Sequence, residues 1–197
     1  AASDVYKRQV YQKILFKDGV WYDLKMTVTA YTNKTYAGSD GAEVPSYPPM
    51  GFSRSKIAWY FMPTMGEYIM KMEYFKHGDA KQKAVAVNSR FQWWEIDNSQ
   101  RFGIRTETGS IAKKLYQSAN STVYYKSQVS KADGNTYLFV TASGQLPAND
   151  TRGNVGFVLK NCSTYYVAIG YRDHIQDSSD YRVSKASIAK RNESLKN

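Results

Sequence analysis

Lys13–Ala30 reads KILFKDGVWYDLKMTVTA. In its second half Tyr22, Leu24, Met26, Val28 and Ala30 alternate with Trp21, Asp23, Lys25, Thr27 and Thr29. That period of two belongs to a strand with one buried face. Asp18-Gly19 just before it is a turn dipeptide that closes short hairpins, because both residue types accept positive φ. Lys13–Phe16 supplies the partner strand. The stretch therefore predicts an antiparallel hairpin, and a chain rich in Tyr, Thr and Val favours more strands around it.

Working outward, 33–53 holds Gly, Ser, Asp and three of the five prolines and reads as a long surface loop. Strands resume at 56–62, where Ile57, Trp59 and Phe61 share a face. Next come Tyr68–Phe75 up to the turn His77-Gly78-Asp79, and one or two strands within Lys83–Asp97. Ser110–Ser118 is expected to be a short helix, since Ile111 and Leu115 stand four residues apart. Further strands are expected at Thr122–Lys126, at Tyr137–Thr141 after the turn Asp133-Gly134-Asn135, at Asn154–Leu159 and at Thr164–Tyr171. Such short, evenly spaced strands predict an all-β chain, an antiparallel β-sandwich of jelly-roll or immunoglobulin-like type with one short helix. Residues 10–172 form this domain. Residues 1–9, AASDVYKRQ, resemble a translated sequencing adapter, so they are expected to be an artefact and the native N-terminus to be missing. Residues 173–197 are polar and read as a linker or the start of a further module.

At 197 residues with 42% hydrophobic content, the chain is long enough for one sizeable core, and disorder is excluded as the default. The net charge of +10 favours acidic partners in general. Its lysines and arginines are dispersed singly, however, and nucleic acid is not the expected partner. No apolar run reaches the length of a membrane-spanning helix. Cys162 is the one cysteine, so no intrachain disulfide forms. His77 and His174 sit in turn contexts with no metal or nucleophile spacing, and neither a metal nor another cofactor is expected.

Phe91–Gly103, FQWWEIDNSQRFG, carries the densest chemistry. Read as a strand, it puts Phe91, Trp93, Glu95 and Asp97 on one face and Gln92, Trp94 and Ile96 on the other. Unpaired carboxylates are costly to bury. Glu95 and Asp97 could therefore serve as a glycosidase acid/base pair, coordinate a hard cation together with Asp173, or form ion pairs with Arg101 or Arg90. The ion pairs are the favoured reading, and no catalytic residue is assigned. Trp59, Trp93, Trp94, Tyr124 and Tyr125, with Glu95 and Asp97, are the candidate ligand-binding residues. Adjacent aromatics on a strand must split between its faces, and an exposed ring can stack on a sugar or anchor a protein interface.

The opening strand, the centre FQWWEID and the closing GFVLKNCSTYYVAIGYR together resemble a β-sandwich domain of large Gram-positive surface proteins, of the adhesin or pilin-like kind. Trp21–Thr29 fit its G-x-x-x-D-L-K-x-T-V-T strand, and Phe91, Glu95, Ile96 and Asp97 fit its F-x-x-x-D-I-D strand with Glu in place of the first Asp. The resemblance implies a non-enzymatic, extracellular, cell-wall-anchored module that is adhesive or structural. Its partner would be a host or neighbouring-cell surface protein or glycan. It also implies a setting in which Lys–Asn isopeptide bonds occur, and Lys25, Asn161 and Glu95 have the residue types for one. The alternative function is a carbohydrate-binding module using exposed Trp and Tyr.

Overall fold

The computed structural model describes residues 8–31, 51–52, 60–61, 67–94, 96, 100–106, 111–142, 144–147 and 149–171. Its strands are β1 (Arg8–Lys17), β2 (Val20–Tyr31), β3 (Gly51–Phe52), β4 (Tyr60–Phe61), β5 (Tyr68–Lys76) and β6 (Val87–Trp93). They continue as β7 (Gln100–Arg105), β8 (Ile111–Gln117), β9 (Tyr124–Val129), β10 (Thr136–Thr141), β11 (Val155–Cys162) and β12 (Thr164–Tyr171). A seven-stranded sheet runs β1-β2-β5-β12-β7-β10-β9, a three-stranded sheet runs β6-β11-β8, and β3 pairs with β4. Every pairing is antiparallel.

The hairpin forms as its sequence dictates. Lys17 pairs with Val20 across a two-residue turn, in which Asp18 and Gly19 take φ of 50° and 77°. Two positive φ values in succession are the turn whose twist matches that of paired strands. β1 begins at Arg8, two residues inside the segment expected to lie outside the fold, and Arg8 and Gln9 pair with Thr27 and Met26. Strand pairing is made by the backbone, so it extends over Arg8 and Gln9 whatever their side chains.

The alternation of β2 and β5 places Leu24, Met26, Val28, Tyr68, Met70, Met72 and Tyr74 in one buried cluster. Tyr165, Val167 and Ile169 of β12 join it, as do Phe102 and Ile104 of β7. The small sheet contributes Val87, Trp93, Val155, Phe157 and Leu159 to the same cluster, so the two sheets share one core. The all-β sandwich expected from the sequence is therefore the observed architecture.

Two local expectations are corrected. Ser110–Ser118 is not a helix, because Ile111–Gln117 is strand β8, paired with β11. Residues four apart share a face in both a helix and a strand, so Ile111 and Leu115 satisfied either reading. A nine-residue helix is also marginal without tertiary support. The helical turn among the described residues is a 3-10 turn at Thr151–Gly153, capped by the Asp150 side chain. Second, FQWWEIDNSQRFG is not one strand. β6 ends at Trp93 and β7 starts at Gln100, so the stretch crosses from the small sheet to the large one. Ile96 is fully buried on the crossing, and its N–H donates to the Gly153 carbonyl at 2.9 Å. A Cβ on Gly153 would lie 2.9 Å from the Ile96 carbonyl oxygen and 2.8 Å from a Leu146 methyl, so this close approach requires glycine.

The expected loop at 33–53, apart from Gly51 and Phe52, lies outside the described residues, as do Ile57, Trp59 and the polar segment 173–197.

Candidate ligand-binding face

The small sheet has an inner face on the core and an outer face. Along β6 the inner positions are Val87, Ser89, Phe91 and Trp93, whereas Asn88, Arg90 and Gln92 are exposed. On β11, Val155, Phe157 and Leu159 point inward, leaving Gly156, Val158 and Lys160 for the other side. Register sets Gly156 opposite both Gln92 of β6 and Tyr116 of β8, and sets Val158 opposite Arg90. The outer face is thus Asn88, Arg90 and Gln92 beside Gly156, Val158 and Lys160, with Tyr116 on the far strand.

Gly156 shapes the middle of this face. A Cβ there would sit 3.5 Å from Tyr116 Cβ and 3.7 Å from its ring, so the tyrosine packs over the glycine. Arg90 reaches from the opposite strand and holds its guanidinium carbon 4.7 Å from the centre of the Tyr116 ring. That is a cation–π contact, made across the middle strand. Trp94, one residue past the end of β6, is 68% exposed, whereas Trp93 is 4% exposed. Trp93 lies edge-on to Phe91 at 5.0 Å and to Phe157 at 5.3 Å, and 5.1 Å from Phe102 of the large sheet.

The aromatic pairs singled out in the sequence divide in this manner. Trp94 stands in solvent, and Trp93 offers no face to a ligand because it fills the space between the sheets. Tyr125 is buried on the core side of β9, while Tyr124 is half-buried against the cluster on the other side of the large sheet. Trp59, Glu95 and Asp97 lie outside the described residues. The two arginines offered as partners for these carboxylates have these contacts among the described residues. Arg101 Nε is 3.0 Å from Glu67 Oε2, with its guanidinium 3.5 Å over the Phe139 ring, and Arg90 is stacked on Tyr116.

The isopeptide candidates have other contacts. Lys25 Nζ is 3.8 Å from Glu73 Oε1 and donates to Gln82 Oε1 at 3.3 Å. Asn161 is exposed at a φ of 47°, and its backbone N–H donates to Asn88 Oδ1 at 2.8 Å. Cys162 is a buried free thiol. Among the described residues no group of three His, Cys, Asp or Glu side chains could hold a metal ion, and no helix is long and apolar enough to cross a membrane.

Sequence reasoning missed three features. Tyr116 fell in the segment read as helix, and Arg90 was taken as an ion-pair partner. The pair His77–Asp23, with Nδ1 2.9 Å from Oδ1, links residues far apart in sequence. A signal for Arg90 alone was present in β6, where Asn88, Arg90, Gln92 and Trp94 follow at steps of two.

The chain matches no family model, no curated protein and no solved structure.

Proposed function

We propose that this chain is a non-catalytic carbohydrate-binding β-sandwich domain, which meets its ligand with the outer face of the small sheet. The observation that carries this reading is Trp94, 68% exposed while its neighbour Trp93 is in the core. An indole is the side chain best suited to covering the flat apolar side of a sugar ring. Around it, Gln92 and Asn88 offer amides for hydroxyl groups, and no carboxylate among the described residues stands on this face. A sheet face with an aromatic platform and adaptable polar groups suits an extended chain laid across it.

In the surface-protein setting that the sequence resemblance implies, such a domain would be an adhesive module, exported and attached to the cell wall, holding a host or neighbouring-cell glycan. The purely structural reading of the same module has no feature of its own in its favour.

The test is binding to an immobilised glycan panel by the wild type, Trp94→Ala and Trp21→Ala, with thermal unfolding of each. Trp21 is another exposed indole, 42% accessible on the β1–β2 hairpin, and controls for loss of any surface tryptophan. Binding abolished by Trp94→Ala alone, with melting unchanged, is the expected result. Retained binding in that variant, or no glycan bound by the wild type, overturns the proposal.

A further inference from the structure

We infer that the ligand of this face is an acidic glycan, whose carboxylate is held by Arg90 while a sugar ring lies on Trp94. The inference rests on the carbohydrate-binding reading and narrows it to a substrate class.

Its basis is a contrast among the arginines. Arg101 pairs with Glu67 at 3.0 Å, Arg105 with Asp133 at 2.8 Å and Arg152 with Asp150 at 2.7 Å. Two lysines of the large sheet, Lys25 and Lys71, are likewise matched, on opposite oxygens of Glu73 at 3.8 and 3.7 Å. Arg90 differs. It is exposed, and although Arg101 and Arg105 also lie over rings, Arg90 alone of these four has no carboxylate paired with it among the described residues. A cation–π contact holds the guanidinium beside the ring by its charge and leaves N–H groups for other acceptors. Tyr116 thus holds Arg90 ready for a planar two-oxygen acceptor, and a carboxylate is the acceptor that fits its fork in a bidentate manner. Lys160 adds a second positive charge on the same face, and the chain carries a net charge of +10.

Distance sets the size of the ligand. Arg90 and Trp94 are four residues apart, roughly 13 Å at the rise of an extended strand. A single sugar does not reach both, so the occupant is a chain with a carboxylated unit displaced from the one on Trp94.

Affinity gel electrophoresis tests this with alginate, polygalacturonate and hyaluronan, each beside its own carboxyl methyl ester, and with a single-stranded oligodeoxynucleotide. At least one acidic polymer is expected to bind tenfold or more tightly than its ester. Arg90→Lys, which keeps the charge and loses the fork, is expected to remove that preference without a change in melting temperature. Equal binding of acid and ester, lost in Trp94→Ala, overturns the inference and leaves the carbohydrate reading standing. Binding to no polymer of either kind also overturns it, and the glycan panel then decides whether the carbohydrate reading stands. Undiminished acid preference in Arg90→Lys, or equally Arg90-dependent retardation by the oligodeoxynucleotide, also overturns it.

Discussion

Trp93 and Trp94 are one step apart on an extended chain, and that step carries one of them into the core and the other into water. Truncating the first leaves a large cavity between Phe91, Phe102 and Phe157. Trp93→Ala should therefore cost about 3–5 kcal/mol, whereas Trp94→Ala should stay within about 0.5 kcal/mol; urea unfolding of both variants measures the difference. Gly103 is a second position where one atom matters. A Cβ there would lie 2.7 Å from the Phe139 ring, and Arg101 sits 3.5 Å from the centre of that ring. The ring is held on both sides, so Gly103→Ala should destabilise by about 1–3 kcal/mol, seen as a lower urea midpoint. Asp133 sets an acid-side dependence. Burial acts to raise its pKa, but hydrogen bonds from the Tyr137 hydroxyl, from Asn135 and from Arg105 outweigh that and hold it below the ordinary value. A carboxylate depressed by folding stabilises the native state above its unfolded pKa, about 3.9, and that stability is lost as pH falls through the lowered native value. Asp133→Asn should flatten the fall in urea midpoint below about pH 4; an unaltered acid limb would exclude this role.

At the scale of the strand, β1 is an edge, and edges are open to unwanted pairing. Its register shifts between Tyr11 and Leu15, where Lys13 adopts a φ of 52°. The Lys13 N–H donates to Asp23 Oδ1 at 2.8 Å, and the same carboxylate meets His77 Nδ1. The bulge bends the edge, and a buried side chain occupies one of its donors. Asp23→Ala should cost about 1–3 kcal/mol and speed hydrogen exchange at the Lys13 amide relative to the β5–β12 amides; unchanged exchange there would argue against the anchoring role. The β1–β2 hairpin could be read from sequence because its turn and its alternation are local and agree. Ile111 and Leu115 fit two periods at once, and β11, the partner that decided between them, lies some forty residues away in sequence. The corner at Ile96 depends on a glycine from another strand connection, and no local pattern carries that information. Of the site, Trp94 was readable as half of an aromatic pair. The meeting of Arg90 with Tyr116 was not, because it requires the strand order β6-β11-β8.

Across the whole molecule, a line of rings joins the sheets. Phe157 and Phe91 touch Trp93, Trp93 touches Phe102, and Phe91 lies 5.6 Å from Tyr165. Neither sheet can lose its inner face without exposing the other. The domain should therefore unfold in one transition, with tryptophan fluorescence and far-ultraviolet circular dichroism giving the same midpoint; separate midpoints would mean that the sheets melt independently. The order of the large sheet has another consequence. β12, the latest of the described strands to be made, fills the place between β5 and β7. A nascent chain halted before Thr164 would carry β1-β2-β5 and β7-β10-β9 as two triplets, each with a bare interior border. These borders are free to seize other chains until the missing ribbon leaves the ribosome. The time taken to make and release Thr164–Tyr171 thus sets how long the unfinished domain stays vulnerable.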